Sequence, residues 1–265
     1  MVDDGSTDET AEAARAFLEG SELREGAVVA ASPMRRGASA ARNLGLAEAG
    51  DAALVAFLDS DDLWPPDFLE RAAGALSGDP GAVAASADLQ ILEPHGAPRL
   101  RELDGIAEET LPELFRDAGI GSASLCRASA VRACGGYDES LKTGHDAQLF
   151  LRLALRGRWL HVAGASAIKR EGFAAPGESG QIRADHAERE GIWAAIYERF
   201  VREHGSSAAV RRARGSELAA RRWRQAGAAL AREGRVREAR ACYRAALARR
   251  PVWPHVWWRY LRSLF

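Results

Sequence analysis

Lysine is almost missing from this sequence. Of its 36 basic residues only Lys142 and Lys169 are lysines, so arginine carries nearly all the positive charge. Beside so much alanine this is a codon-bias signature, and it carries no functional weight. Cysteine is scarce as well. Cys126, Cys134 and Cys242 are odd in number and lack metal-ligand spacing, which argues against a disulfide framework and for a reducing compartment. No apolar run approaches the ~18 residues of a spanning helix, and no signal peptide is visible. An excess of either charge is also absent: the formal net charge of −1 gives no global pull toward nucleic acid or membrane. These absences lead to the expectation of a soluble, cytoplasmic protein with no nucleic-acid partner. A chain of 265 residues can bury a full core, enough for one domain of roughly 200 residues with an appendage.

What is present begins with an acidic cluster. Phe57-Leu58-Asp59-Ser60-Asp61-Asp62-Leu63-Trp64-Pro65 places three carboxylates directly after Ala52 to Leu58, an apolar run that reads as a buried strand. Carboxylates at alternate positions beyond a strand end can face one side, where one hard cation, Mg²⁺ or Mn²⁺, satisfies charges that otherwise repel and is shared with substrate phosphates. An acidic turn capping the helix that begins near Pro65 is the alternative.

Over the first 170 residues strand and helix signals alternate. Ser6-Thr7-Asp8-Glu9 has capping-box form and predicts a helix to about Glu19. Ala27 to Ser32 reads as a strand, Ala38 to Ala49 as a helix, Pro66 to Leu76 as a helix and Ala82 to Leu92 as a strand. Ser122 to Cys126 is strand-like, Gly135-Gly136 marks a turn, and Asp146 to Arg156 reads as a helix. The rhythm is that of an α/β domain with a mostly parallel sheet, in which ligands bind beyond the carboxyl ends of the strands. Leu92 to Gly121 carries no readable motif.

From about Asp185 the pattern is continuously helical. Trp223, Gly227, Leu230, Ala239, Tyr243, Ala246 and Pro251 match the spacing of one tetratricopeptide-like helix pair, with Gly234 at the turn. A single unit cannot form a solenoid, so a helical pair docked on the α/β domain is expected. The predicted organisation is an α/β domain over 1–180 and a helical tail over 181–265. Trp253, Trp257, Trp258, Tyr260, Leu264 and Phe265 lie among Arg259, Arg262 and His255. They either pack onto the helix pair or form a face for a partner or for weak contact with a membrane surface.

Four stretches resemble family 2 glycosyltransferases in order and spacing: Val2 to Asp8, Arg36 to Gly45, Phe57 to Trp64, and Gly135-Gly136-Tyr137-Asp138-Glu139 with Asp146. The resemblance covers roughly the first 170 residues. It implies the GT-A fold, a Rossmann-like α/β domain that binds a nucleotide-diphosphate sugar with a divalent metal, and an inverting transfer to a hydroxyl. By the same resemblance Asp3 and Asp4 lie at the base and ribose of the nucleotide, and Arg36, Arg42 and Asn43 flank it. Asp59 lies near the ribose, Asp61 is the direct ligand of Mg²⁺ or Mn²⁺, and Asp146 is the base that takes the acceptor's proton. Read from the residues alone, Asp3 and Asp4 cap a helix, Arg42 is a solvated helix residue and Asp146 is a favourable first-turn charge.

The sequence departs from that pattern in three places. His145 precedes the presumed base where relatives commonly carry glutamate. Ala167 to Phe173 lacks the histidine many relatives use on the diphosphate or metal, leaving Arg170 or Glu171 nearby. Relatives also begin earlier, with a further strand, loop and helix, so a truncated or miscalled start is expected. The implied donor is a UDP-, GDP- or dTDP-sugar and the acceptor a glycan or lipid-linked hydroxyl, worked on in the cytoplasm or at the inner membrane face. Two alternatives come from other classes. A haloacid-dehalogenase-type phosphatase also places Asp-x-Asp after a strand, but expects a small-residue turn with Thr or Val where Asp62-Leu63-Trp64 stands, and a lysine in the site, whereas lysine is scarce here. A catalytically impaired glycosyltransferase-like scaffold is the other.

Overall fold

The computed structural model describes residues 1–22, 25–170 and 186–264. β1 (Val2–Asp3) pairs in parallel with β2 (Ala30–Ala31), with α1 (Thr10–Glu19) between them and α2 (Ala38–Glu48) after them. A five-stranded sheet follows. Its centre is β4 (Ala82–Leu92), the alanine-rich strand that α3 (Phe68–Gly78) leads into. β7 (Arg158–Arg170) takes one edge of β4. On the other edge β6 (Ser124–Arg127) joins β4 to β3 (Leu54–Ala56), and β5 (Arg99–Arg101) pairs further along.

The sheet is mixed, which corrects the expectation of a mostly parallel one: β3–β6, β6–β4 and β4–β5 are antiparallel and only β4–β7 is parallel. The excursion through α4 (Thr110–Arg116) leaves from and returns to one end of β4, so Ser124 enters opposite Ser86 and runs backwards. An apolar run does not record its direction. β3, β4 and β7 still point the same way, so their carboxyl ends and the start of β6 meet at one edge, where the site forms.

The capping box at the start of α1 does not form. Ser6 donates its hydroxyl to the buried Asp3 carboxylate, and the helix begins at Thr10, whose N–H is taken by Asp8 at 3.1 Å. The main core lies between the sheet and the helices α4, α5 (Ala128–Ala133), α6 (His145–Leu153) and α7 (His186–His204). Polar groups inside it are satisfied in series. Trp159 donates to Ser86 Oγ at 2.8 Å, Ser86 meets Ser124 at 2.7 Å, and Ser124 donates to the Ile120 carbonyl at 2.8 Å. On α7, Tyr197 stacks on Phe115 at 4.8 Å and donates its hydroxyl to the Leu114 carbonyl at 2.9 Å. This first tail helix therefore shares the core of the α/β layer. The predicted boundary at 180/181 lies outside the described residues.

After the short α8 (Ala208–Arg212), α9 (Gly215–Arg232) and α10 (Val236–Arg249) form a hairpin that turns at Gly234, whose φ is +75°. Its close approach depends on Gly227: a Cβ there meets the Tyr243 ring at 2.7 Å and the Ala239 carbonyl at 3.2 Å. Gly227→Ala is expected to lower the unfolding midpoint. Overpacking against a buried ring costs ~1–3 kcal/mol, more than the ~1 kcal/mol of helix propensity that alanine adds. The aromatic end divides at the last helix, α11 (Pro254–Arg262), and Phe265 lies outside the described residues. Trp253 and Val256 are buried against the hairpin, while Trp257, Trp258, Leu261 and Leu264 are exposed. The three cysteines are free and buried. No helix among the described residues is long and apolar enough to cross a membrane.

Candidate functional site

The acidic loop leaves β3 and is fastened at its far end to β7. Leu63 N–H donates to the Ile168 carbonyl at 2.9 Å, and Ile168 N–H returns a bond to the Leu63 carbonyl at 2.8 Å. Trp64 donates to the Ser122 carbonyl at 2.5 Å, tying the loop to the entry of β6. Between these anchors the three carboxylates have different fates. Asp62 is buried and accepts from Arg170 N–H at 3.0 Å, with the Lys169 ammonium at 3.5 Å. Asp59 is paired with Arg42. The Asp61 carboxylate has no hydrogen bond or ion pair among the described residues, although Arg170 Nε donates to its backbone carbonyl. One oxygen from each of Asp59, Asp61 and Asp62 lies within 4.8 Å of the others.

Arg42 projects from α2 into the centre of the site, which settles its two sequence readings against a solvated position: only 12% of its side chain is exposed. Its guanidinium donates to Asp59, meets His145 Nε2 at 2.6 Å and lies over the Tyr137 ring at 5.4 Å. Burial opposes its charge, but the carboxylates of Asp146 and Asp59 more than offset that and hold its pKa above the ordinary value. Asp59 shows the reverse balance. Burial pushes its pKa up, and the Arg42 and Lys169 charges pull it below the ordinary carboxylate value.

Because Arg42 has no acceptor, His145 Nε2 must accept, which puts the imidazole proton on Nδ1, a buried atom with no partner. Burial and the Arg42 charge both lower the His145 pKa, against the raising effect of Asp146, and the net shift is down from 6.5. A group neutral in the fold is protonated first in the unfolded chain, so stability is expected to fall as pH drops from the ordinary histidine range through the lowered value. In His145→Gln this part of the acid loss should disappear, as read from denaturation midpoints between about pH 7 and pH 5.

Asp146 stands in the first turn of α6, which starts after Gly144 in the left-handed region at φ +72°. The helix N-terminus favours its negative charge. Its Oδ1 is buried without a hydrogen-bond partner. The Gly121 backbone comes so close that a Cβ there meets Asp146 Oδ2 at 2.8 Å. Around it Cys126 is pushed up to about 12, mainly by burial and then by the Asp146 charge. Burial and the same charge raise Tyr137, whose hydroxyl is also unpartnered. The arrangement is a carboxylate with an open lone pair facing little water, beside a cavity of about 450 Å³ lined by His145, Asp146 and residues of α7.

The remaining expected residues lie around this centre. Asp3 is buried and accepts from Ser6 N–H at 3.3 Å, and Asp4 accepts from the N–H groups of Arg36 at 2.9 Å and Gly37 at 2.6 Å. Both carboxylates thus hold loop backbone at the end of β1. Arg36 is exposed and pairs with Glu139 at 2.9 Å. Asn43 accepts from Tyr137 N–H at 2.8 Å and donates to the Tyr137 carbonyl and to Glu139, each at 2.9 Å. Gly136 permits that bond, since a Cβ there would sit 2.6 Å from Asn43 Oδ1. Sequence reading missed the Arg42–His145 link and the part played by Lys169. The only signal for the first was the unusual His145. Glu171 lies outside the described residues.

Residues 1–128 match the family model of glycosyl transferase family 2. A pre-mycofactocin glycosyltransferase, found in two strains of Mycobacterium tuberculosis, is 34% identical over 132 residues, 47% of this chain and 28% of that protein. The match therefore covers less than a third of the length of these curated relatives. The solved structure of S. aureus TarS 1-349 in complex with UDP-GlcNAc superposes with a TM-score of 0.65 at 16% identity, covering 99% of this chain and 78% of that one. The mannosyltransferase PcManGT from Pyrobaculum calidifontis, in complex with GDP-Man and Mn²⁺, gives 0.61 at 19% identity, covering 93% and 65%. The fold is GT-A. His145 and Asp146 lie beyond the residues matched by the family model.

Proposed function

We propose, from the premise that the chain carries a family 2 glycosyltransferase domain, that it transfers a sugar, with inversion, from a nucleotide-diphosphate donor to a hydroxyl of a glycan or lipid-linked acceptor. The observation that carries this reading is the continuous link Asp59–Arg42–His145, which ties the acidic loop to the helix bearing Asp146. Both ends of the link carry a carboxylate without a partner among the described residues, Asp61 at one and Asp146 Oδ1 at the other.

The acidic loop fits a hard divalent cation, because three carboxylate oxygens lie within 4.8 Å of one another and the Asp61 carboxylate has no partner among the described residues. Asp61 would hold Mg²⁺ or Mn²⁺ with Asp59 beside it, and a cation there neutralises charge developing on the departing diphosphate. The rest is done by the chain itself. Arg42 fixes Asp59 toward the donor. Asp3 and Asp4 shape the nucleotide pocket through the loops they hold, with Arg36 flanking it. On the acceptor side Asp146 Oδ1 takes the hydroxyl proton as the oxygen attacks, and neutral His145 keeps the helix start in place without competing for that proton. Relatives of similar fold are complexed with UDP-GlcNAc or with GDP-Man and Mn²⁺, which supports a nucleotide-sugar donor here. Incubating the chain with UDP-, GDP- and dTDP-sugars and Mn²⁺ should release nucleoside diphosphate from one class. Release from none, in a folded chain, contradicts the proposal.

The exposed face of α11 supports weak attachment to an anionic membrane surface, because Trp257, Trp258 and Leu261 stand beside Arg259 and Arg262. The protein is expected to co-sediment with anionic liposomes at low salt and to lose that binding in Trp257→Ala/Trp258→Ala. Indifference to liposomes removes the attachment.

A further inference from the structure

The cavity beside Asp146 is lined by more cations than carboxylates. Its lining carries six cationic side chains, Arg101, Arg116, Lys142, Lys169, Arg189 and Arg222, against three carboxylates, Asp117, Asp146 and Glu190. Four of the cations are already engaged. Arg101 pairs with Asp117 at 2.9 Å, Arg116 with Glu113, Lys169 with Asp62 at 3.5 Å, and Arg222 with Glu190 at 4.0 Å while it lies over the Trp193 and Tyr197 rings. Lys142 and Arg189 have no carboxylate partner among the described residues; Arg189 meets only His186 Nδ1 at 3.2 Å. The Trp193 indole N–H, in the same wall, is buried and unpartnered.

Lys142, Arg189 and Trp193 are donors only, and the lining's free carboxylate is Asp146, which the proposed reaction uses. A neutral sugar presents hydroxyls that both donate and accept, and asks for both kinds of partner. An anionic group only accepts, and matches an exposed Lys142, a half-buried Arg189 and a buried Trp193 N–H that have no carboxylate acceptor among the described residues. Lys142 precedes α6 and Arg189 lies on α7, whereas Lys169 is held at the acidic loop through Asp62. The unpaired pair thus belongs to elements that carry the proposed base and the far wall.

Resting on the glycosyl-transfer reading above, we infer that the acceptor is anionic: a hydroxyl compound with a phosphate or carboxylate group that Lys142 and Arg189 hold while Asp146 faces the hydroxyl. These two are specificity residues and take no part in bond breaking.

The test is calorimetric titration of the full chain with glycerol 3-phosphate and galacturonate, and with glycerol and galactose as their neutral counterparts. It is repeated on Lys142→Gln/Arg189→Gln, with nucleotide and Mn²⁺ affinity measured in parallel. At least one anion should bind ten or more times tighter than its neutral counterpart. The double variant should lose that preference tenfold or more, with its unfolding midpoint and nucleotide affinity unchanged. Whichever anion binds separates phosphate from carboxylate. Equal binding of charged and neutral probes, no anion binding, or anion binding that survives the double substitution overturns the inference. A parallel loss of nucleotide affinity also overturns it, by assigning the two cations to the donor. Absence of nucleotide binding in the unaltered chain strikes at the transferase reading instead, and leaves the anion result to be read separately.

Discussion

Asp146→Asn should lower kcat by about 10²–10⁴-fold, the range expected when a general base is lost, while donor-nucleotide affinity stays within about twofold. The substitution keeps the shape of the side chain and removes only its ability to take a proton. It should also leave the fold intact. Asp146 Oδ1 makes no internal hydrogen bond, and Arg42 keeps its pairing with Asp59 when the Asp146 charge is gone. The split between kcat and binding matters, because a merely structural first-turn aspartate would cost ~0.3–1 kcal/mol of stability and little turnover. A kcat unchanged by Asp146→Asn removes Asp146 as the base.

Asp61→Asn should abolish the Mn²⁺-dependent part of nucleotide affinity without changing the unfolding midpoint of the free protein. Its neighbour supplies the contrast. Asp62 is buried under Arg170 N–H and Lys169, so Asp62→Asn should destabilise the free protein by ~1–3 kcal/mol, the cost of spoiling a buried charged hydrogen bond. Adjacent carboxylates would then separate into one that serves a ligand and one that serves the fold. If Asp61→Asn instead lowers the midpoint and leaves metal-dependent binding intact, the two roles have been assigned the wrong way round.

Sequence reading succeeded where a signal is local. β4 spans the predicted Ala82 to Leu92, and α2 ends one residue short of its predicted limit, because strand and helix periodicity need only near neighbours. It failed where the deciding partner is distant. β7 went unseen because charged residues flank it and Gly164 interrupts it, and its pairing along β4 is not written in its own residues. The direction of β6 depends on a return path through a stretch with no readable pattern. Asp62 reads like Asp61 until Arg170, 108 residues on, is brought against it. Arg42 looks like a surface arginine on α2 until His145 and Asp59 converge on it. Family resemblance named Asp61 and Asp146 in advance, but only the folded arrangement shows that the Asp61 carboxylate and Asp146 Oδ1 have no partner among the described residues.

The most direct measurement is thermal unfolding of the chain with UDP, GDP and dTDP, each with and without Mn²⁺, because a ligand that binds only the native state raises its stability by mass action. A rise with one nucleotide that requires Mn²⁺ and vanishes in Asp61→Asn is the predicted result, and it would name the donor class. No rise with any nucleotide, or a rise that needs neither Mn²⁺ nor Asp61, would contradict a metal-dependent transferase site at the end of β3.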